Sequence, residues 1–233
     1  MLPLRDTIRS RHFPLVNWLI LGANTVVFLY TASLSVGEEN QFLLSYALIP
    51  ARTFSLDPKI MLTLFSSMFM HASWFHFLSN MWILYIFGDN VEDRMGPFGY
   101  LGFYLLSGLA AAGLQVAFYA GSTVPTLGAS GAIAGVLGAY MLMYPTATVD
   151  TLVFLFVFAT RIRLPAVIFL GFWFISQLYS GIASIGSGLV GGVAWWAHIG
   201  GFVFGLTLSP FFRFRPPPPP ERRSIYFPPP PEF

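Results

Sequence analysis

Charge is scarce in this chain. Only 9% of its 233 residues are Asp, Glu, Lys or Arg, against about 25% in a soluble domain. With 55% of the residues hydrophobic, lipid rather than water is the solvent the chain is built for. Cysteine is absent, which rules out disulfides, thiolate catalysis and cysteine metal sites, and leaves the redox compartment unreadable. A net charge of only +2, carried at the edges of apolar runs, is not the basic face of a nucleic-acid binder; membrane topology explains it better. No small-residue cleavage site follows the first long apolar run, so a signal peptide is not expected there. No solenoid-period repeat is present, nor the paired broken helices of an inverted-repeat transporter.

Six stretches approach the roughly 20 apolar residues a span needs: about 14–35, 71–88, 99–119, 128–144, 164–181 and 193–212. These predict an all-α membrane protein, a bundle of six transmembrane helices. The division expected is a cytoplasmic N-terminal segment (1–13), a six-span domain (14–212) and a proline-rich cytoplasmic tail (213–233) in polyproline II or disordered form. Thr151–Ala159 is apolar but half a span long, and is expected to be an interfacial or re-entrant piece. The first outer loop, about 36–70, is expected to lie at the membrane surface.

Six spans place both termini on one side. Ten of the twelve Lys and Arg residues then share it: Arg5, Arg9 and Arg11, the loop residues Arg94, Arg161 and Arg163, and Arg213, Arg215, Arg222 and Arg223. Only Arg52 and Lys59 lie opposite. Such a bias marks the shared side as cytoplasmic; a seventh span over 151–160 would weaken it.

Polar groups inside spans are costly and are functional candidates. His76, Asn80, Ser130 and His198 each fall within about the first ten residues of a span running from outside to inside, so they share a layer up to ~15 Å deep. His76 and Asn80 are i and i+4, on one helix face. Gly131, Gly135 and Gly138 line the fourth span, and Gly201 and Gly205 the sixth, spacings that let backbones approach closely in lipid. A serine in such a helix is more often a packing residue bonded to its own i−4 carbonyl, and a lone intramembrane histidine can be a proton relay or a metal ligand. The four together point instead to a nucleophile, Ser130, a base, His198, and donors for an oxyanion in His76, Asn80 and the Ser130 amide. His71 and His76 lack the spacing of a zinc-binding helix, and no intramembrane carboxylate completes a transporter's proton path. No cofactor and no metal are expected.

Four signatures, His71-x4-His76-x3-Asn80, Gly88-x3-Glu92-x3-Gly96, GASGA at 128–132 and AHIGG at 197–201, occur in the order found in rhomboid intramembrane serine proteases, and over about 14–212 the chain resembles that family. The resemblance implies a catalytic Ser130–His198 dyad without an acidic member, with His76, Asn80 and the Ser130 amide as oxyanion hole. Gly128 would leave room for the substrate backbone. Glu92 and Arg94 would tie the second-to-third loop to neighbouring helix ends, and His71 would be structural. The fifth span would be a lateral gate, with Phe172 and Trp173 as its residues. Partners would be single-span transmembrane substrates cut near the outer end of their span, and the lipid bilayer, with no nucleic acid. Short loops fit a multi-pass protein of the bacterial inner membrane, an organelle membrane being the alternative. A catalytically dead relative that binds membrane clients is the competing function; such relatives usually lose the serine or histidine. The chain departs from some members at Ala134, where they carry a tyrosine stacked on the base. His198 must then be oriented otherwise, with Trp195 or Trp196 as candidates.

Overall fold

The computed structural model describes residues 1–55, 57–155, 158–187, 192–212 and 215–216. The expected proline tail from 217 onward lies outside the described residues. Eight α-helices and three strands order the rest: β1 (Leu2–Asp6), α1 (Leu15–Ala32), α2 (Val36–Tyr46), α3 (Pro58–Ser66), α4 (Trp74–Met95), α5 (Pro97–Phe118), α6 (Ser130–Met143), β2 (Thr148–Leu155), β3 (Phe158–Pro165), α7 (Ala166–Ser187) and α8 (Trp195–Leu208). α1, α5 and α7 are long and apolar enough to cross a membrane. α4 matches α5 in length at 22 residues, but its second half carries Asp89, Glu92, Asp93 and Arg94, all but the first buried.

α6 and α8 have 14 residues each, about 21 Å against about 33 Å for α5 and α7. They sit at the centre. α6 is buried along most of its length, which explains why it carries no polar face: lipid and solvent reach little of it. Glycine sets how closely this pair packs. A Cβ at Gly201 would collide with the Gly131 carbonyl, and one at Gly205 with the Gly135 carbonyl; at Gly138 it would strike Phe202 and come within 2.8 Å of the Leu206 nitrogen. Backbone thus lies on backbone over the length of both helices.

Glu92 fastens α4 to α1. Its carboxylate accepts from the Val16 and Asn17 amides at 3.0 and 2.7 Å, supplying the cap that the helix lacks from its own Pro14. The Asn17 side chain in turn accepts from the Tyr100 hydroxyl of α5 at 2.8 Å. Arg94 donates to the Arg215 carbonyl at 3.0 Å. The ties expected of Glu92 and Arg94 are therefore made to the start of α1 and to the chain beyond α8.

The all-α expectation needs correction. β2 pairs antiparallel with β3, and the N-terminal strand β1 adds to β2, giving the order β1-β2-β3. The piece expected to be interfacial or re-entrant, Thr151–Ala159, is accordingly strand at its described residues, 151–155 and 158–159. The β-branched run Thr148, Val149, Thr151 and Val153 suits a pleated strand, and Val149 and Thr151 are fully buried. Asp150 gathers three guanidinium groups, from Arg5 on β1 at 2.9 Å and from Arg161 and Arg163 on β3, the last at 2.9 Å. These hold its carboxyl well below the usual range. The sheet places Arg5, Arg161 and Arg163 at one end of the bundle, the end that also holds Arg94 and Arg215.

Candidate active site

The site is built from the starts of three helices. Ser73 caps α4, its hydroxyl accepting from the His76 amide at 3.2 Å, and so fixes the turn that presents His76, with Asn80 one turn below. Ser130 is the first residue of α6, where the amide has no carbonyl of its own helix to bond. His198 lies in the first turn of α8, its amide bonded to the Ala194 carbonyl at 3.2 Å.

The close glycine contacts of α6 and α8 carry Ser130 and His198 to one another. Ser130 Oγ and His198 Nε2 stand 2.8 Å apart, within the range for an O–H···N bond. His198 is 9% exposed. On its other side, Nδ1 lies 2.8 Å from Gln177 Oε1 of α7. Trp173 lies tilted beside the ring at 5.9 Å and Trp195 meets it edge-on at 6.2 Å, both between centroids. Of the two tryptophans expected to orient the base, Trp195 touches it, while Trp196 stacks on Phe118 at 3.5 Å.

Above the pair opens a cavity of about 420 Å³ whose walls include His76, Asn80, Gln115, Ser130 and His198. Asn80 is buried, and its Nδ2 has no hydrogen-bond partner among the described residues. The His71 ring packs edge-on against Phe28 and Phe77 and lies 5.0 Å from the His76 ring. Gly128 sits at φ +130°, and a Cβ there would come within 2.8 Å of the His76 ring. Glycine is required at this position on both counts: what the missing side chain admits is His76, held against the loop that leads into Ser130. Of the two residues expected at a gate, Phe172 is exposed on the outside of α7. Trp173 turns inward to His198 and Phe202, because it lies one turn before Gln177 on the same face.

The rhomboid domain model matches residues 58–215, the stretch that contains His76, Asn80, Ser130, Gln177 and His198. The chain belongs to the rhomboid family. Two curated relatives are Rhomboid-like protein 11, chloroplastic, of Arabidopsis thaliana, 39% identical over 75 residues, and Rhomboid protein 1, mitochondrial, of Saccharomyces cerevisiae, 29% identical over 97 residues. The matches cover 32% and 40% of this rhomboid, and 26% and 28% of the relatives; the chain thus aligns with only about a quarter of each relative's length. As a rhomboid it is a multi-pass membrane protein.

Gln177 was not among the residues that spacing singled out. It could have been found by the rule that flagged the others, since an amide in the middle of an apolar helix is costly unless bonded.

Proposed function

We propose that this rhomboid is an intramembrane serine endopeptidase that cleaves single-span membrane proteins near the outer end of their transmembrane segment. The 2.8 Å approach of Ser130 Oγ to His198 Nε2 carries the proposal. α1, α4, α5, α6, α7 and α8 would be its six spans. Both termini would lie in the cytoplasm of a bacterial inner membrane, since the arginines of the sheet end satisfy the positive-inside rule. The shorter α6 and α8 would then leave Ser130 and His198 recessed below the outer ends of their neighbours, with the cavity above them as the route for water and substrate.

In the first step Ser130 Oγ bonds to the scissile carbonyl carbon and its proton passes to His198 Nε2. The carbonyl oxygen becomes an oxyanion. The Ser130 amide, at the positive end of α6, the Asn80 amide group and the His76 ring would be the donors that receive it. Collapse expels the amine, which takes the proton from His198, and leaves an ester on Ser130. Water then adds to the ester carbonyl while His198 takes its proton, and that proton returns to Ser130 Oγ as the acid leaves. His198 is neutral at the start and end of each half, as a base must be.

The test is cleavage of a single-span reporter by purified protein in detergent or proteoliposomes, with labelling by a fluorophosphonate. Ser130→Ala should abolish both and His198→Ala should reduce turnover to background. Cleavage persisting in Ser130→Ala would refute the mechanism, as would a wild-type protein that neither cleaves nor labels beside an active rhomboid.

A further inference from the structure

We infer that Gln177 is the positioning residue of the base: its amide fixes which nitrogen of His198 carries the proton, and it does so only while α7 is seated against α8. This rests on the Ser130–His198 mechanism and extends it to a residue outside the four rhomboid signatures.

The hydrogen-bond chain leaves one assignment. Ser176 Oγ donates to the Trp173 carbonyl at 2.5 Å, so its lone pairs face the neighbouring amide. Gln177 Nε2 lies 3.0 Å from Ser176 Oγ and 3.3 Å from the Trp173 carbonyl. A carbonyl can only accept, so this end of the amide is the NH2 and the other end is the oxygen. Oε1 stands 2.8 Å from His198 Nδ1 and, being an acceptor, places the proton on Nδ1. Nε2 is then left with its lone pair toward Ser130, the tautomer that attack requires. Gln177 is 6% exposed, so little solvent competes for the bond, and an unpaired Nδ1–H here would carry a desolvation cost. Trp173, tilted beside the ring, and Trp195, edge-on to it, limit its plane. Where some relatives carry a tyrosine, this chain has Ala134, and the orienting contacts come from α7 and from the start of α8 instead.

The acceptor is delivered by a different helix from the one that carries the base. At its described glycines α7 has no lock of the kind that joins α6 and α8: a Cβ at Gly171 would meet nothing within 4 Å, and one at Gly181 only ordinary or slightly tight side-chain contacts. Displacement of α7 would withdraw Oε1 and leave Ser130 and His198 adjacent but without a preferred tautomer.

The test compares Gln177→Leu and Gln177→Glu, each beside Ser130→Ala, using reporter cleavage over a pH series with melting temperature as the fold control. His76 and Tyr119 are the other titratable groups lining the cavity and are unchanged throughout. Gln177→Leu should lower kcat by ~10- to 100-fold with KM little altered, because the lost contact is to the base rather than to substrate. Gln177→Glu keeps an acceptor and should recover most of the neutral-pH turnover. A carboxylate beside the ring favours imidazolium, so the acidic limb of its kcat profile should move to higher pH by about 1 unit or more. Wild-type kcat in Gln177→Leu, or an unmoved acidic limb in a folded Gln177→Glu, would overturn the inference while Ser130→Ala is inactive. Activity in Ser130→Ala would instead remove the mechanism on which it stands.

Discussion

Replacing Gly201 by alanine tests how the site is assembled, because the substitution touches neither Ser130 nor His198. The added Cβ would sit against the Gly131 carbonyl, well inside any separation that real Cβ atoms adopt. Both partners are main chain, so no rotamer change relieves the contact. Restoring even the tightest tolerable spacing requires α8 to back away from α6 by at least about 1 Å, a displacement of the size that can cost ~10²-fold in turnover. Gly201 lies one turn beyond His198, and Gly131 directly follows Ser130. The shift therefore opens the 2.8 Å bond toward ~4 Å, beyond hydrogen-bond reach. Gly201→Ala should lose about two orders of magnitude in kcat on a single-span reporter while still inserting and remaining helical. The matched control is Gly102→Ala in α5, where a Cβ meets nothing within 4 Å; it should keep wild-type turnover and gain a little stability from the better helix former. If Gly201→Ala cleaves as fast as Gly102→Ala, close approach of the two backbones is not what brings the pair together.

Asn80→Ala should lower kcat by ~10²–10³-fold with a smaller change in KM, as measured by initial rates, if its Nδ2 receives the oxyanion. Burial, with Asp89 adding to it and the Tyr140 hydroxyl opposing, pushes the Asp6 carboxyl up from 3.8 to about 7. The protonated form is the one the fold favours, so this contribution to stability is complete below about pH 4 and is lost as pH rises through about 7. Melting in detergent from pH 4 to 8 should show that decline, and Asp6→Asn should flatten it; equal slopes would show that Asp6 does not titrate as assigned. A reporter enzyme fused after Phe233 should read out in the cytoplasm, and a readout across the membrane would refute six spans.

The six long apolar helices were legible because apolar length is a local property, and their starts fall within about three residues of the expected ones, whereas α2 and α3 lie in the stretch expected to be a loop and α4 and α7 run past their expected ends. α4 runs on to Met95, past the expected end at 88, because Asp93 and Arg94 are satisfied by His12 and Arg215 rather than by solvent. His76, Asn80, Ser130 and His198 could be read from depth and spacing, and all four line one cavity. The sheet was not legible. β1 is five residues long with a proline inside it, and it pairs with a strand on the far side of six α-helices, a non-local choice that no window of sequence expresses. The alternation of Thr148, Val149, Thr151 and Val153 was the available sign, masked by the apolarity that suggested a half-span. Gln177 escaped for a related reason: its contact is defined by the fold of α7 onto α8, and its neighbours Ser176 and Leu178 form no motif.

The N-terminal strand has a consequence for how the protein is made. Arg5 finds its partner Asp150 only 145 residues later, and Asp6 finds Tyr140 134 residues later. At ~5–20 residues per second, roughly 7–30 s of synthesis separate the emergence of β1 from that of the strand it joins. Throughout that interval its first edge must stay unpaired and unaggregated beside the ribosome. When β2 arrives, the sheet closes β1 onto the segment leading into α7, so a strand made before six helices is placed only after them.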